Sequence, residues 1–165
     1  MVKRIIKWYI AAIALTAVIS CLLAMTVQAA ETVTVPEDVR EISEELGEQY
    51  NFCPEVIQSL GWWESRFDSE AENGGCIGIM QVMPKWHQER MDRLGVTDLR
   101  DTRQNMTVAV DYLSELLRDG EDMEEALMRY HGESHITERL DSGEISEYVE
   151  NILTLSAELE RRNGK

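Results

Sequence analysis

From Met106 to Leu117 the apolar residues Met106, Ala109, Val110, Leu113, Leu116 and Leu117 recur three and four positions apart. An α-helix brings such positions onto one face, because its turn holds about 3.6 residues. The same spacing returns in Val39, Ile42 and Leu46, and in Ile145, Tyr148, Val149, Ile152, Leu155 and Leu159. A shorter set, Met123, Ala126, Leu127 and Tyr130, closes at Gly132, and a helix over 85–94 is ended by Gly95. Such stripes are buried most readily against one another, so the chain is predicted to be mainly α around one core. Its 165 residues suffice for a single domain, and no internal repeat or low-complexity tract interrupts the pattern.

One stripe ends on the wrong residue. Between Cys53 and Phe67, Pro54 suits a first helical position, where its missing N–H is no loss. Ile57, Leu60 and Glu64 then share a face. A carboxylate at the end of an apolar stripe is paired, turned out to water, or held partly desolvated. The last state raises the carboxyl pKa and makes a proton donor near neutral pH. Asp68 to Gly75 reads as a loop, with turn chemistry in Asn73-Gly74-Gly75. Cys76 to Pro84 is mainly apolar and too short for a helix. With Gly78 allowing close backbone approach, it is expected to be an extended segment or small hairpin. Thr102 or Asn105 is expected to cap the Met106 helix, and 131–143 reads as polar and irregular.

The formal net charge is −15. Residues 1–30 hold Lys3, Arg4 and Lys7 and no acid, so the remainder is more acidic still. Nucleic acid is excluded as a partner, since phosphates demand Lys and Arg. Residues 1–30 are expected to be a signal peptide or an N-terminal membrane anchor. A basic start precedes the charge-free run Trp8 to Val27, whose length of about 20 residues spans a bilayer as a helix. Val27-Gln28-Ala29 suits signal cleavage after Ala29, and Val18-Ile19-Ser20-Cys21 resembles a lipoprotein box. Each alternative puts the bulk of the chain outside the cytoplasm, secreted or anchored. Residues 31–36 form a short extended tether. In that compartment Cys53 and Cys76 are expected to form a disulfide, the alternative being two buried thiols.

Other chemistries find little support. There is no serine elbow and no phosphate-binding glycine loop. His131 and His135 are four apart, but Gly132 weakens a helix between them and no third ligand is evident, so neither a metal nor a cofactor is expected. Carboxylate chemistry on a glycosidic bond remains, with Glu64 as its acid.

Taken together, Glu64-Ser65-Arg66-Phe67, Gly75-Cys76-Ile77-Gly78-Ile79-Met80-Gln81-Val82-Met83-Pro84, Asn105 before an apolar helix, Ala126-Leu127-Met128-Arg129-Tyr130 and Tyr148-Val149 resemble the lytic transglycosylase (SLT) family of the lysozyme-like superfamily. The paired cysteines and Lys85-Trp86-His87 resemble versions exported by Gram-positive bacteria. The resemblance implies a lysozyme-like domain over 37–163. It implies cleavage of the β-1,4 bond between N-acetylmuramic acid and N-acetylglucosamine in peptidoglycan by a single carboxyl, Glu64, with 1,6-anhydro products. Ser65 then helps order the site, Met80 and Gln81 line the sugar groove, and the Tyr130 hydroxyl orients the acid. Gly75 and Gly78 are turn glycines, and Asn105 is a structural cap. Where the family follows its tyrosine with asparagine, this chain has His131, which bears on the contacts beneath the groove. The rival expectations are a muramidase that lets water attack, and a weakly active wall-binding component. The expected partners are glycan strands, the membrane through the N-terminal segment, and an envelope-spanning secretion or conjugation machine.

Overall fold

The structure, a computed structural model, describes residues 33–120 and 122–165. The chain divides into two compact units, Met1–Thr34 and Val35–Lys165, and every helix and strand described belongs to the second. The signal or anchor expectation falls on residues 1–30, outside the described residues. Among the described residues no helix is long and apolar enough to cross a membrane.

As the stripes predict, the unit is mainly helical. Seven helices are described: α1 Glu37–Tyr50, α2 Pro54–Ser65, α3 Pro84–Leu94, α4 Thr102–Arg118, α5 Met123–His131, α6 Ile136–Asp141 and α7 Glu147–Arg162. The apolar faces meet in one core, with Ile57, Leu60, Ile79, Met80, Met106, Leu113, Leu127 and Ile152 fully buried. Helix α2 packs on α1 and α7, while α4 packs on α1, α3 and α5. Gln58 donates to Ser43 Oγ at 2.7 Å and joins α2 to α1 inside the core, so this buried amide and hydroxyl do not oppose folding.

Start signals sit where helix chemistry needs them. Asp101, Asp122 and Ser146 accept from the backbone N–H three residues on, capping α4, α5 and α7. The cap of α4 is therefore Asp101, not Thr102 or Asn105. Asn105 lies one turn inside that helix, fully buried. It accepts from the Met80 N–H and donates to the carbonyls of Ile77 and Leu99, each at 2.8 Å. One amide thus fastens the Cys76 to Met83 segment to α4.

That segment begins extended, as expected, but it completes a hairpin with residues of the stretch read as a loop. Strand β1, Glu72–Asn73, pairs antiparallel with β2, Cys76–Ile77, across Gly74 and Gly75, both at positive φ. A second tight loop follows, closed where Ile77 pairs with Val82. Gly78 turns it at φ +77°, and a Cβ there would lie 2.2 Å from the Leu99 carbonyl oxygen. Helix α6 was not expected in the polar stretch 131–143; it buries only Ile136.

The expected disulfide is absent: Cys53 and Cys76 are both free thiols. Cys53 precedes the first turn of α2, whereas Cys76 stands near enough to Glu64, at its far end, to feel its charge. At 1.5 Å per residue those ends are about 16 Å apart, beyond a disulfide's reach of about 7 Å. The Cys53 thiol lies 3.3 Å from a Glu55 carboxylate oxygen and 3.1 Å from one of Glu160.

Candidate active site

Glu64 is the penultimate residue of α2, placed there by the buried turn of Ile57 and Leu60 beneath it. The helix stops at once because Arg66 and Phe67 both take left-handed backbone, φ +61° and +66°. Tyr148, in the first turn of α7, donates its hydroxyl hydrogen bond to Glu64 Oε1. The His131 ring, at the end of α5, lies on the Tyr148 ring with centroids 3.9 Å apart and planes 5° from parallel. Three helices therefore converge on one carboxyl.

Burial pushes the Glu64 carboxyl above its ordinary range, while the Tyr148 hydrogen bond and the positive charge available to His131 pull the other way. Burial prevails, so this group holds a proton at higher pH than an exposed glutamate. The phenols of Tyr148 and Tyr130 are held protonated by burial and then by the negative charge of Glu64. The Cys76 thiol is raised for the same two reasons.

The remaining expected residues divide by role. Ser65 Oγ donates to the Ile79 carbonyl at 2.8 Å and accepts from the Asp68 N–H at 3.0 Å, fixing the second loop against α2. The Tyr130 hydroxyl donates to the Met80 carbonyl at 2.6 Å, so it fixes that loop instead of orienting Glu64. Met80 is fully buried, so its side chain lies in the core and not on an open groove wall. Its sulfur lies 3.4 Å from where a Cβ on Gly61 would stand. Gln81, at φ +46°, donates to the carbonyls of Gly78 and Ala71 at 3.0 and 3.2 Å and also faces a cavity. Gly75 serves the hairpin turn, apart from the acid. His135 lies beyond α5, exposed, and meets Glu138 at 3.1 Å.

Two open cavities flank His131 and Gly132. One, of about 690 Å³, is walled by Trp63, Glu133, Arg139, Glu147, Tyr148 and Asn151 among others. The second, of about 580 Å³, is walled by Cys76, Gln81, Trp86, His87, Tyr112 and Tyr130 among others. His131 borders both cavities, and Tyr148, which holds Glu64, borders the first. The second cavity is aromatic: Tyr130, Tyr112 and His87 follow one another with centroids 5.9 and 4.8 Å apart. Trp86 at its rim is 70% exposed.

Sequence reasoning quoted Tyr148 without giving it a task and did not single out Trp63, Glu133 or Arg139. A signal for Tyr148 existed. Its hydroxyl sits on an otherwise apolar stripe, and such a group needs a partner when buried.

The family is defined by comparison with known proteins. Residues 41–146 match the family model described as the transglycosylase SLT domain, and the chain belongs to that family. The chain is 34% identical over 85 residues to a protein named transglycosylase from Enterobacteria phage PRD1, a match covering 51% of this chain and 31% of the phage protein. It is 32% identical over 91 residues to a membrane-bound lytic murein transglycosylase F of Desulfosudis oleivorans, covering 54% of this chain and 19% of that protein. The match thus spans less than a third of the length of either relative.

Proposed function

We propose that this domain is a peptidoglycan lytic transglycosylase of lysozyme-like fold, acting outside the cytoplasm on murein glycan strands. The observation that carries the reading is Glu64: a largely desolvated carboxyl of raised pKa, held by Tyr148, whose stacking partner His131 borders two open cavities. On this reading a glycan occupies the cavities beside His131 and reaches Glu64 with one glycosidic oxygen. Each open cavity is of a size that suits a small ligand.

The chemistry follows from one group used twice. Protonated Glu64 gives its proton to the glycosidic oxygen between N-acetylmuramic acid and N-acetylglucosamine. The bond from that oxygen to the muramic anomeric carbon breaks, and the substrate's own acetamide supports the cation left behind. The carboxylate then takes the proton of the muramic 6-hydroxyl as that oxygen closes onto the anomeric carbon. Glu64 ends protonated, no water is consumed, and the product is a 1,6-anhydro sugar. The reading does not require a second carboxylate, and the groups that perturb Glu64 are Tyr148 and His131. A pKa lifted by burial suits an acid that must next serve as a base.

The N-terminal segment would hold the domain at the membrane, where local cutting could serve an envelope-spanning secretion or conjugation machine. Dye release from labelled sacculi tests the enzyme reading. Glu64→Gln, which keeps the shape and removes the proton donor, is expected to lower the rate by about 10²-fold or more. Equal rates for the two proteins would overturn the reading.

A further inference from the structure

We propose that His131 is a positioning residue: it holds the Tyr148 phenol on Glu64 and is itself held by Glu133 and Arg139. The proposal rests on Glu64 being the reacting acid. Tyr148 stands in the first turn of α7, and its side chain reaches Glu64 across the mouth of the site. Of the staggered positions open to a phenol in general, the one observed delivers the hydroxyl to Glu64, and a swing to another loses that bond. The imidazole of His131 lies flat on that ring, 3.9 Å away and 5° from parallel, and blocks the swing.

The imidazole is in turn fixed, although it is half-exposed. Gly132 at φ +76° ends α5, and the Glu133 N–H bonds to the Met128 carbonyl at 3.0 Å, which sets where Glu133 goes. Glu133 Oε1 then stands 3.4 Å from His131 Nδ1, while its other oxygen accepts from Arg139 at 2.9 Å. Glu133 is only 11% exposed, so its charge needs the arginine. Arg139 comes from α6, the short helix with almost no core of its own. The line Arg139–Glu133–His131–Tyr148–Glu64 thus joins the outer surface to the acid through three ion-pair or hydrogen-bond contacts and one ring stack. An asparagine at 131 has no ring to lay on Tyr148, so this support belongs to the histidine.

Kinetics on soluble murein glycan strands and NMR of the Tyr148 hydroxyl proton test the proposal together. His131→Ala is expected to lower kcat up to about tenfold while KM changes less than about twofold, the signature of lost orientation. His131→Phe, which keeps a flat ring, restores most of kcat. In a Tyr148→Phe background His131→Ala costs nothing more, because the two residues act as one unit. The hydroxyl proton stays shielded from exchange in wild type and His131→Phe and loses that shielding in His131→Ala. A phenylalanine as slow as the alanine, an equal loss in both backgrounds, or a risen KM with kcat intact would overturn the proposal. Should the wild type cleave nothing, the transglycosylase reading fails by itself. The NMR arm then still decides the positioning: unchanged exchange in His131→Ala overturns it.

Discussion

Glu64 keeps its proton to higher pH than an exposed glutamate because the end of α2 is partly desolvated, and Tyr148 limits how far that goes. The phenol donates to the carboxylate and so favours the charged form, opposing burial. Removing it in Tyr148→Phe raises the Glu64 pKa further. The acid must start protonated, so activity falls as pH rises through that pKa. The alkaline limb of the pH–rate profile is therefore expected to move to higher pH in Tyr148→Phe, with maximal kcat about tenfold lower for want of orientation. A limb that moves down would contradict this. Stability follows from the same sign. A folded-state pKa above the unfolded one gives stability that is full below the ordinary value and lost as pH rises through the folded value. Glu64→Gln, a permanent mimic of the neutral form, is expected to melt higher than wild type at neutral pH, which thermal scans measure.

The elements divide into those that bury a stripe and those that hold a loop. Helices α1, α2, α4, α5 and α7 were legible because Val39, Leu60, Leu113, Leu127 and Ile152 repeat at the helical period and are all buried. Helix α6 was not, because Ile136 and Leu140 are too few to make a stripe, and His135 starts it from φ +59°. Asn105 misled for a different reason. Its type and place suggest a cap, and no local pattern reveals that its amide serves Met80, Ile77 and Leu99 across the core. Long-range partners set the fates of Cys53, Tyr130 and Tyr148 too, so spacing alone could not pair them. The loop that Asn105 holds should be unforgiving. Gly78→Ala places a methyl 2.2 Å from a carbonyl oxygen at positive φ and is expected to cost about 3 kcal/mol or more. Asn105→Ala strands the buried Met80 N–H and Leu99 carbonyl, while the Ile77 carbonyl keeps Val82, at a cost of about 2–4 kcal/mol. Urea midpoints of the two variants check both; a loss below about 1 kcal/mol in either contradicts the packing described.

Across the whole molecule the helix that carries Glu64 is held at both ends. At its head, Glu55 is 1% exposed and accepts from Lys165 Nζ at 2.7 Å and Asn163 at 2.9 Å, which ties α2 to the residues after α7. Burial pushes the Glu55 carboxyl up, but Lys165, Asn163, Cys53 and its own backbone N–H outweigh it and bring the pKa to about 2. A depressed carboxyl gives stability that is present above the ordinary value of 4.5 and is lost as pH falls toward about 2. Glu55→Gln is therefore expected to be less stable than wild type at pH 7, with the gap narrowing as pH falls through that window. Denaturation at a series of pH values measures it, and a gap that stays constant would contradict the role given to Glu55. At the other end Glu64 takes the Tyr148 hydrogen bond beneath His131, and that this one carboxyl does the chemistry is what most needs testing. Mass spectrometry of purified murein digested by the wild-type domain, with Glu64→Gln alongside, tests it most directly. 1,6-Anhydromuramic ends are expected from the wild type and no release from the variant. Reducing muramic ends, or equal release by the variant, would contradict it.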